Sequence, residues 1–339
     1  MTEYKRIAID TSKAVFTLHG IDQRDRVVLQ RNLRRAQLLP FFKKLPPTEI
    51  VLEACGGAHH WARELTALGH SVRLLPPQYV KPFVKRGKND RNDAQAISEA
   101  AARPDMQAVP VKSAEQQAEA MVLSARELLV RQRTQLANAI RGHAAEFGVV
   151  TAQGMARLEG LLAAVHSDDA IPQAARDMLA FLAAQVKQLD SQIAQLEQRM
   201  QRLHKANPLS RILAEVPGVG PIGALSLALT VDATRFTSGR HFAAWLGLTP
   251  KDRSSGGKQR LGKISKAGNE RLRQLLVVGA MAVIRAARPG SRIASAWLLK
   301  LLERKPRKLA AVALANKMAR IVWAMMTSGE AYRRQPVAG

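Results

Sequence analysis

Eight apolar residues in the middle of the chain repeat at alternating intervals of three and four, and this pattern restricts the fold strongly. They are Leu179, Leu182, Val186, Leu189, Ile193, Leu196, Met200 and Leu203. Such spacing is the heptad pattern of a helix that buries one stripe of side chains against another helix. The intervening residues include many Gln, Lys, Asp and Arg, which suit a solvated surface. The pattern therefore predicts a long helix that separates the chain into an earlier and a later part.

A looser helical pattern at 114–148 precedes this stretch. The two helices are expected to form an antiparallel hairpin or to pair between protomers; the alternative is a helical spacer with no partner. Pro172 and the pair Asp168 and Asp169 lie between them, where we expect a turn. Residues 111–206 are thus predicted to be a central helical coiled coil that links domains and assembles protomers.

The first 110 residues have a different pattern. Apolar, β-branched segments alternate with helical ones in the order three strands, helix, strand, helix, strand, helix. This order predicts a mixed α/β sheet domain over 1–110.

Positive charge is concentrated in the last third of the chain. The formal net charge is +25, of which +7 falls in 1–110, +1 in 111–206 and +17 in 207–339. Lys and Arg side chains that contact phosphates release counterions, so such a field favours a polyanion. Nucleic acid is the leading candidate partner; a solvated basic surface is the alternative. The pattern of 207–339 predicts a compact, mainly helical basic domain.

Cys55 is the only cysteine, so the chain can form no intrachain disulfide and no cysteine-rich zinc site. We expect Cys55 to be a small buried packing residue in a protein of the reducing cytoplasm. The longest uninterrupted run of apolar residues and glycine, 275–284, is shorter than the roughly 20 residues that span a bilayer. No membrane association is expected.

Four acidic residues stand where strands end or a helix begins. Asp10 and Glu53 end predicted strands, and Asp90 and Asp93 are three apart at a predicted helix start, which puts them on one face. If the strands of Asp10 and Glu53 are neighbours, all four carboxylates can converge and bind Mg²⁺ or Mn²⁺, which prefer oxygen ligands. The alternative for Asp90 and Asp93 is a helix N-cap and a first-turn charge.

A second group of residues lies in "SSGGKQRLGKISKAG", 254–268. A serine hydroxyl is a weak nucleophile unless a base or metal removes its proton. Glycines such as Gly256 would let a phosphate approach the backbone, and nearby cations would neutralise it; these are Lys258, Arg260, Lys263 and Lys266. The alternative is a phosphate-binding loop with no covalent role.

Further nucleic-acid contacts are expected in the same domain. Gly218 and Gly220 lie in the turn "PGVGP" between two helical stretches, which is similar to a helix-hairpin-helix and could present backbone N–H groups to a phosphate. We also expect contacts from the basic side chains of Arg271, Arg273, Arg304, Lys305, Arg307 and Lys308.

Six motifs in order, "IAIDTSK", "LEACGG", "KNDRNDAQAI", "VPGVGPIGA", "FAAWLGLTP" and "SSGGKQRLGKISKAGNERLR", resemble the DEDD transposases of the insertion sequence 110 family, the RNA-guided bridge recombinases. The resemblance extends from Asp10 to about Trp323. It implies an RNase H-like (RuvC-like) domain, a coiled coil and a C-terminal transposase domain.

The resemblance also implies roles for particular residues. Asp10, Glu53, Asp90 and Asp93 would bind Mg²⁺, and Ser255, directly before the glycine, would form a 5′-phosphoserine bond with DNA; Ser254 is the second choice. A structured non-coding RNA would pair with donor and target DNA. Dimers would assemble into tetramers on DNA, in which the serine of one subunit meets the acids of another.

We therefore expect a site-specific DNA recombinase that acts through a serine–DNA intermediate. One alternative is a resolvase-like, metal-dependent nuclease in which water attacks and Ser255 only binds phosphate. Another is a non-catalytic nucleic-acid-binding protein.

Overall fold

The computed structural model describes residues 3–85, 89–254, 258, 260–288 and 295–333. The chain divides into two compact units, 1–117 and 118–339. The strands and helices of the first unit are β1 (Arg6–Thr11), β2 (Val15–Ile21), β3 (Val27–Arg34), α1 (Leu38–Phe42), β4 (Glu49–Glu53), α2 (Ala58–Ala67), β5 (Ser71–Leu75), α3 (Pro77–Val80) and α4 (Asp90–Ala101). The predicted order of three strands, helix, strand, helix, strand, helix is confirmed.

The five strands form one mixed sheet in the order β3-β2-β1-β4-β5. β2 is antiparallel to both β1 and β3, whereas β4 runs parallel to β1 and β5 runs parallel to β4. The first strand therefore lies next to the strand that ends in Glu53, as the convergence of the acids requires.

The two faces of this sheet have separate cores. Ile7 and Ile9 pack with residues of α1 and α2, while Ala8 on the opposite face packs with Val51 and with Ile97 of α4. Successive side chains of a strand point to opposite faces, so β1 supplies both cores by simple alternation.

The second unit begins within a long helix and is mainly helical. Its elements are α5 (Ala114–Glu146), α6 (Leu158–Ser167), α7 (Gln173–Ala206), α8 (Pro208–Leu213), α9 (Pro221–Thr230), α10 (Gly239–Trp245), β6 (Pro250–Asp252), β7 (Leu261–Ile264), α11 (Glu270–Ala286), α12 (Ala296–Arg304) and α13 (Arg307–Ser328).

The helices α5 and α7 pair within the chain in antiparallel orientation. Arg126 forms an ion pair with Glu197 at 2.5 Å, and Arg133 forms one with Asp190 at 2.6 Å. Moving seven residues towards the C-terminus of α5 thus corresponds to moving seven residues towards the N-terminus of α7. The residues of the heptad pattern that lie seven apart in α7 are fully buried; they are Leu179, Val186, Ile193 and Met200. Of the predicted alternatives, the hairpin is the arrangement present; pairing between protomers stays a prediction.

The short helix α6 was not predicted from the sequence. Its Leu158, Leu161 and Val165 pack with Ala144 of α5 and Leu179 of α7. It therefore fills the space between the two long helices at the end where the predicted turn lies.

The core of the C-terminal part is built around α13. This helix is long and apolar enough to cross a membrane by length and composition, with a mean hydropathy of 1.3 over its most apolar window. Its buried side chains belong to the same core as Leu213 of α8, Phe242 of α10 and Leu276 of α11. Its apolarity is accounted for by this central position in the unit.

Two glycines allow the predicted "PGVGP" turn to pack on α11. Gly218 has a φ of +90°, and a Cβ placed there would lie 2.9 Å from the carbonyl oxygen of Gly279. A Cβ placed on Gly279 would overlap the carbonyl oxygen of Gly218. Gly218 is thus needed for close packing, whereas a Cβ on Gly220 would meet no atom within 4 Å.

We expect Gly279→Ala to destabilise the protein by about 1–3 kcal/mol, because the added methyl group forces the turn away from α11. Gly223→Ala in α9 is the matched control, since its Cβ would meet only Val219 at an ordinary 3.8 Å. Alanine in a helix is favoured over glycine by about 0.5–1 kcal/mol, so the control should be neutral or stabilising. Urea unfolding of both variants checks this; equal stabilities would contradict the packing role.

We expect Leu179→Ala to lower the free energy of unfolding by about 2–5 kcal/mol, because this α7 side chain is buried in the core that α7 shares with α5 and α6. Phe181→Ala, on an exposed position of the same helix, should change it by less than about 0.5 kcal/mol. Chemical unfolding combined with light scattering checks this. A lowered molar mass with unchanged stability would assign Leu179 to a contact between protomers instead.

Candidate active site

The sheet brings Asp10 and Glu53 to one edge and one face. Asp10 follows Ala8 by two positions and Glu53 follows Val51 by two, so all four residues point to the face covered by α4. In the parallel ladder, Ala8 pairs with Val51 and Ile9 with Leu52. Continued by one residue, this register places Asp10 beside Glu53.

The helix α4 brings the other two acids to the same place. Its N-cap is Asn89, whose side-chain oxygen accepts a hydrogen bond from the N–H of Arg91 at 3.0 Å. Asp90 and Asp93 are therefore both in the first turn, and the alternative that Asp90 is the N-cap is wrong. Asp90 is exposed and Asp93 is half-buried.

Three of the four predicted acids form a compact cluster. Carboxylate oxygens of Asp10, Asp90 and Asp93 all lie within 4.8 Å of one another. Glu53 is not part of that group, although it is close enough for Asp10 and Asp93 to raise its pKa.

The electrostatics of the cluster are unfavourable for carboxylates alone. Burial raises the pKa of Asp10, and the charges of Asp93 and Asp90 raise it further. Burial is also the largest cause of the raised pKa of Glu53. Each raised pKa means that ionisation costs free energy in the folded state.

This donor set fits a hard divalent cation. The cluster offers only carboxylate oxygens, which Mg²⁺ and Mn²⁺ prefer, and a cation would offset the repulsion between them. Asp10, Asp90 and Asp93 have the positions to hold such an ion, with Glu53 beside them.

A partly buried network that the sequence did not reveal holds the C-terminal end of α4. Arg6 donates to Glu49 at 2.7 Å and to the carbonyl of Ser98 at 3.2 Å. Arg73 donates to Glu49 at 2.9 Å and to the carbonyl of Ala101 at 3.3 Å. The last carbonyls of a helix have no partner within it and attract cations, so the two arginines fix α4 on the sheet. The paired residues Arg6 and Glu49 at the starts of parallel strands were the only signal.

Cys55 is exposed, so the expectation that it is buried was wrong. Its Sγ lies 3.3 Å from Oγ1 of Thr11, and either atom can donate. Cys55 follows Glu53 by two positions, where the chain leaves the sheet, and the two glycines after it are exposed as well.

The serine segment belongs to the second unit, in a hairpin whose strands are β6 and β7. Ser254 donates through Oγ to Oδ1 of Asp252, and the same Oγ accepts from the N–H of Arg260 at 3.0 Å. Both functions of the Ser254 hydroxyl are therefore used within the hairpin. Ser255 and Gly256 lie outside the described residues.

Two of the cations predicted to contact nucleic acid are used inside the protein. Arg273 is 8% exposed and donates to the carbonyls of Leu246 at 3.0 Å and Ala267 at 2.9 Å. It has a structural role, and its expected nucleic-acid contact is corrected. Arg271 lies 3.7 Å from Glu127, and burial lowers its pKa.

The other predicted cations have the exposure that a contact with nucleic acid needs. Each of them is exposed; they are Lys258, Arg260, Lys263, Lys266, Arg304, Lys305, Arg307 and Lys308. Their contacts with nucleic acid stay predictions.

We expect Asp10→Asn to raise the Tm of the metal-free protein at pH 7 by a few degrees. The pKa of Asp10 in the folded protein is above its ordinary value. Stability therefore falls as the pH rises from the ordinary pKa through the folded-state pKa, and the loss persists at pH 7. The amide removes this cost, and it also removes a cation ligand, so added Mg²⁺ should stabilise the variant less than the wild type. Thermal unfolding with and without Mg²⁺ checks both effects.

Asp105→Asn, at an exposed site outside the cluster, is the control and should leave both values unchanged. A lower Tm in metal-free Asp10→Asn would contradict the electrostatic account.

Comparison with known proteins identifies the family. A family described as "Transposase", the DEDD type of insertion sequence 110, matches residues 7–148, and "Transposase IS116/IS110/IS902 family" matches residues 210–294. The chain is 55% identical over 97% of its length to the Sinorhizobium fredii protein y4pF/y4sB, covering 86% of it. It is 41% identical to the transposase for insertion sequence element IS1111A of Coxiella burnetii, over 98% of this chain and 92% of that one. The protein therefore belongs to the insertion sequence 110 family of transposases, enzymes that cut and rejoin DNA.

Proposed function

We propose that this transposase is a site-specific recombinase that cuts and rejoins DNA through a 5′-phosphoserine intermediate. The acidic cluster would bind Mg²⁺ or Mn²⁺, and a structured non-coding RNA would choose the donor and target DNA. The observation that carries the proposal is the convergence of Asp10, Asp90 and Asp93 within 4.8 Å in a chain of this family.

The domain assignment is part of the proposal. The strand order β3-β2-β1-β4-β5, with β2 antiparallel and β4 parallel to β1, supports an RNase H-like (RuvC-like) domain over 1–110. The α5–α7 hairpin supports a coiled-coil segment over 111–206. The transposase domain of 207–339 would carry the serine, and the turn at Gly218 and Gly220 would act as a helix-hairpin-helix.

The acids would hold the ion that DNA cleavage needs. Asp10, Asp90 and Asp93 would be ligands, joined by Glu53. A bound divalent ion supplies Lewis-acid stabilisation of the phosphate and lowers the pKa of a hydroxyl bound to it. Arg6 and Arg73 hold α4 against the sheet. This contact keeps the two acids of α4 close to Asp10.

The serine step is a phosphoryl transfer. A bond forms between Oγ of Ser255 and the phosphorus, the bond from phosphorus to the 3′ oxygen breaks, and the hydroxyl proton ends on that 3′ oxygen. Rejoining reverses the step with a 3′ hydroxyl of another strand, so no external energy source is needed.

The contacts of Ser254 favour Ser255 as the nucleophile. Ser254 lowers the pKa of Asp252 through its side-chain and backbone hydrogen bonds. A carboxylate with a lowered pKa is a poor base for a hydroxyl, so this pair is suited to holding the hairpin and not to activating a nucleophile. The Oγ of Ser254 also accepts from the N–H of Arg260, which keeps it within the hairpin.

The positive charge of the C-terminal part and the family of the protein support the partners that we propose. The net charge of +17 in 207–339 suits donor DNA, target DNA and guide RNA together. The protein would act as a dimer that becomes a tetramer on DNA, in which one subunit supplies the serine and another the acids. It would work in the bacterial cytoplasm, on the nucleoid.

We expect a covalent protein–DNA adduct on a denaturing gel when the full-length protein is mixed with Mg²⁺, the RNA of its own element and end-labelled DNA of the element junction. Ser255→Ala and Asp93→Asn should abolish the adduct, because they remove the nucleophile and a cation ligand. Ser254→Ala is the matched control and should retain it at a reduced level. Leaving out the RNA should prevent site-specific adduct formation.

The results that would contradict the proposal are distinct. Cleavage without an adduct in any lane would make water the nucleophile and the serine loop a phosphate-binding element. Loss of the adduct in Ser254→Ala alone would move the nucleophile to Ser254. Binding without Mg²⁺-dependent cleavage would leave a nucleic-acid-binding protein.

A further inference from the structure

A large open groove lies in the second unit beside the serine hairpin. It has a volume of about 1110 Å³ and is lined by residues of α10, the β6–β7 hairpin, α12 and α13. Pockets for single small ligands span about 300–1,000 Å³. The groove is therefore large enough for an extended ligand.

Part of the lining of the groove is apolar. Leu248, Leu301 and Ile321 line it, together with the indole of Trp297. Trp297 is 38% exposed, and the ammonium of Lys317 lies 4.5 Å from its ring centroid. The cation–π contact holds the ring in place and adds positive charge beside it.

The lining of the groove also includes five cations: Arg240, Lys263, Lys305, Lys317 and Arg320. Among the described residues that line it, none is acidic. An apolar protein segment would gain nothing from this charge, whereas a nucleic-acid strand has phosphates for the cations and flat bases for the apolar side chains.

We propose that this groove binds unstacked nucleotides of single-stranded DNA next to the cleaved phosphate, with a base on the indole of Trp297. The inference rests on the proposed function and deepens it. DNA is favoured over RNA because Pro250, Lys263 and Ile264 of the serine hairpin form part of the groove. Ser254, which directly precedes the proposed nucleophile in the sequence, belongs to the same hairpin. A strand held in the groove would be presented to the serine.

Aromatic stacking of a base contributes about 1–3 kcal/mol by alanine substitution. We therefore expect Trp297→Ala to weaken binding of single-stranded DNA by about 5- to 150-fold, and Trp297→Phe to retain most of the affinity. Lys305→Gln and Arg320→Gln should each weaken binding less and reduce its dependence on salt.

The measurement uses the full-length protein and a short single-stranded DNA with 2-aminopurine at successive positions. We expect strong quenching at one or two positions in the wild type and Trp297→Phe, and none in Trp297→Ala. Thermal unfolding of each variant identifies any that fails to fold, and Trp297→Phe then supplies the comparison. Phe181→Ala, at an exposed site that does not line the groove, should bind and quench as the wild type does. Because the measurement reads binding and not cleavage, it tests the groove independently of the covalent step.

Three results would overturn the inference. One is equal affinity of wild type and Trp297→Ala for single-stranded DNA. Another is a Trp297-dependent affinity that is greater for RNA of the same sequence, which would make the groove a guide-RNA site. The third is a change of oligomeric state in Trp297→Ala with unchanged DNA binding, which would make it an interface between copies.

Discussion

The acidic cluster of the first unit brings together carboxylates that repel one another, and the surrounding structure has to hold them there. Register within the sheet places Asp10 beside Glu53, and the Asn89 cap starts α4 so that Asp90 and Asp93 face Asp10. The raised pKa values of Asp10 and Glu53 are the direct sign of that cost. A fold selected for stability alone would place a lysine or arginine side chain in contact with these carboxylates.

The two arginines that anchor this helix to the sheet lie at its other end. Arg6 is four residues before Asp10 on the same strand, about 13 Å away at 3.3 Å per residue. With Arg73 it binds Glu49 and the last carbonyls of α4. The helix is thus anchored without neutralising the acids, which leaves their negative charge for a divalent ion.

The positions of the acids and of the long helix α7 followed from local patterns. Strand ends and a three-residue spacing located Asp10, Glu53, Asp90 and Asp93, since alternation and helix periodicity depend only on neighbouring residues. The heptads located α7 for the same reason. They left open which helix is the partner, because an intrachain and an interchain contact need the same stripe of side chains.

Contacts between distant residues were the ones that sequence patterns could not reveal. In the sequence Arg273 is one basic residue among several in a basic segment. In the structure its guanidinium is buried and donates to the carbonyl of Leu246, 27 positions earlier. The close packing that requires Gly218 likewise depends on Gly279, which lies in the distant helix α11. The exposure of Cys55 depends on where the chain leaves the sheet, which residue type alone does not determine.

We propose that the acids of the first unit form a divalent cation site. Anomalous diffraction from crystals of the protein grown or soaked with Mn²⁺ tests this. We expect an anomalous peak in contact with carboxylate oxygens of Asp10, Asp90 and Asp93, absent in crystals of Asp93→Asn. A peak elsewhere, or none at this cluster under saturating Mn²⁺, would contradict it.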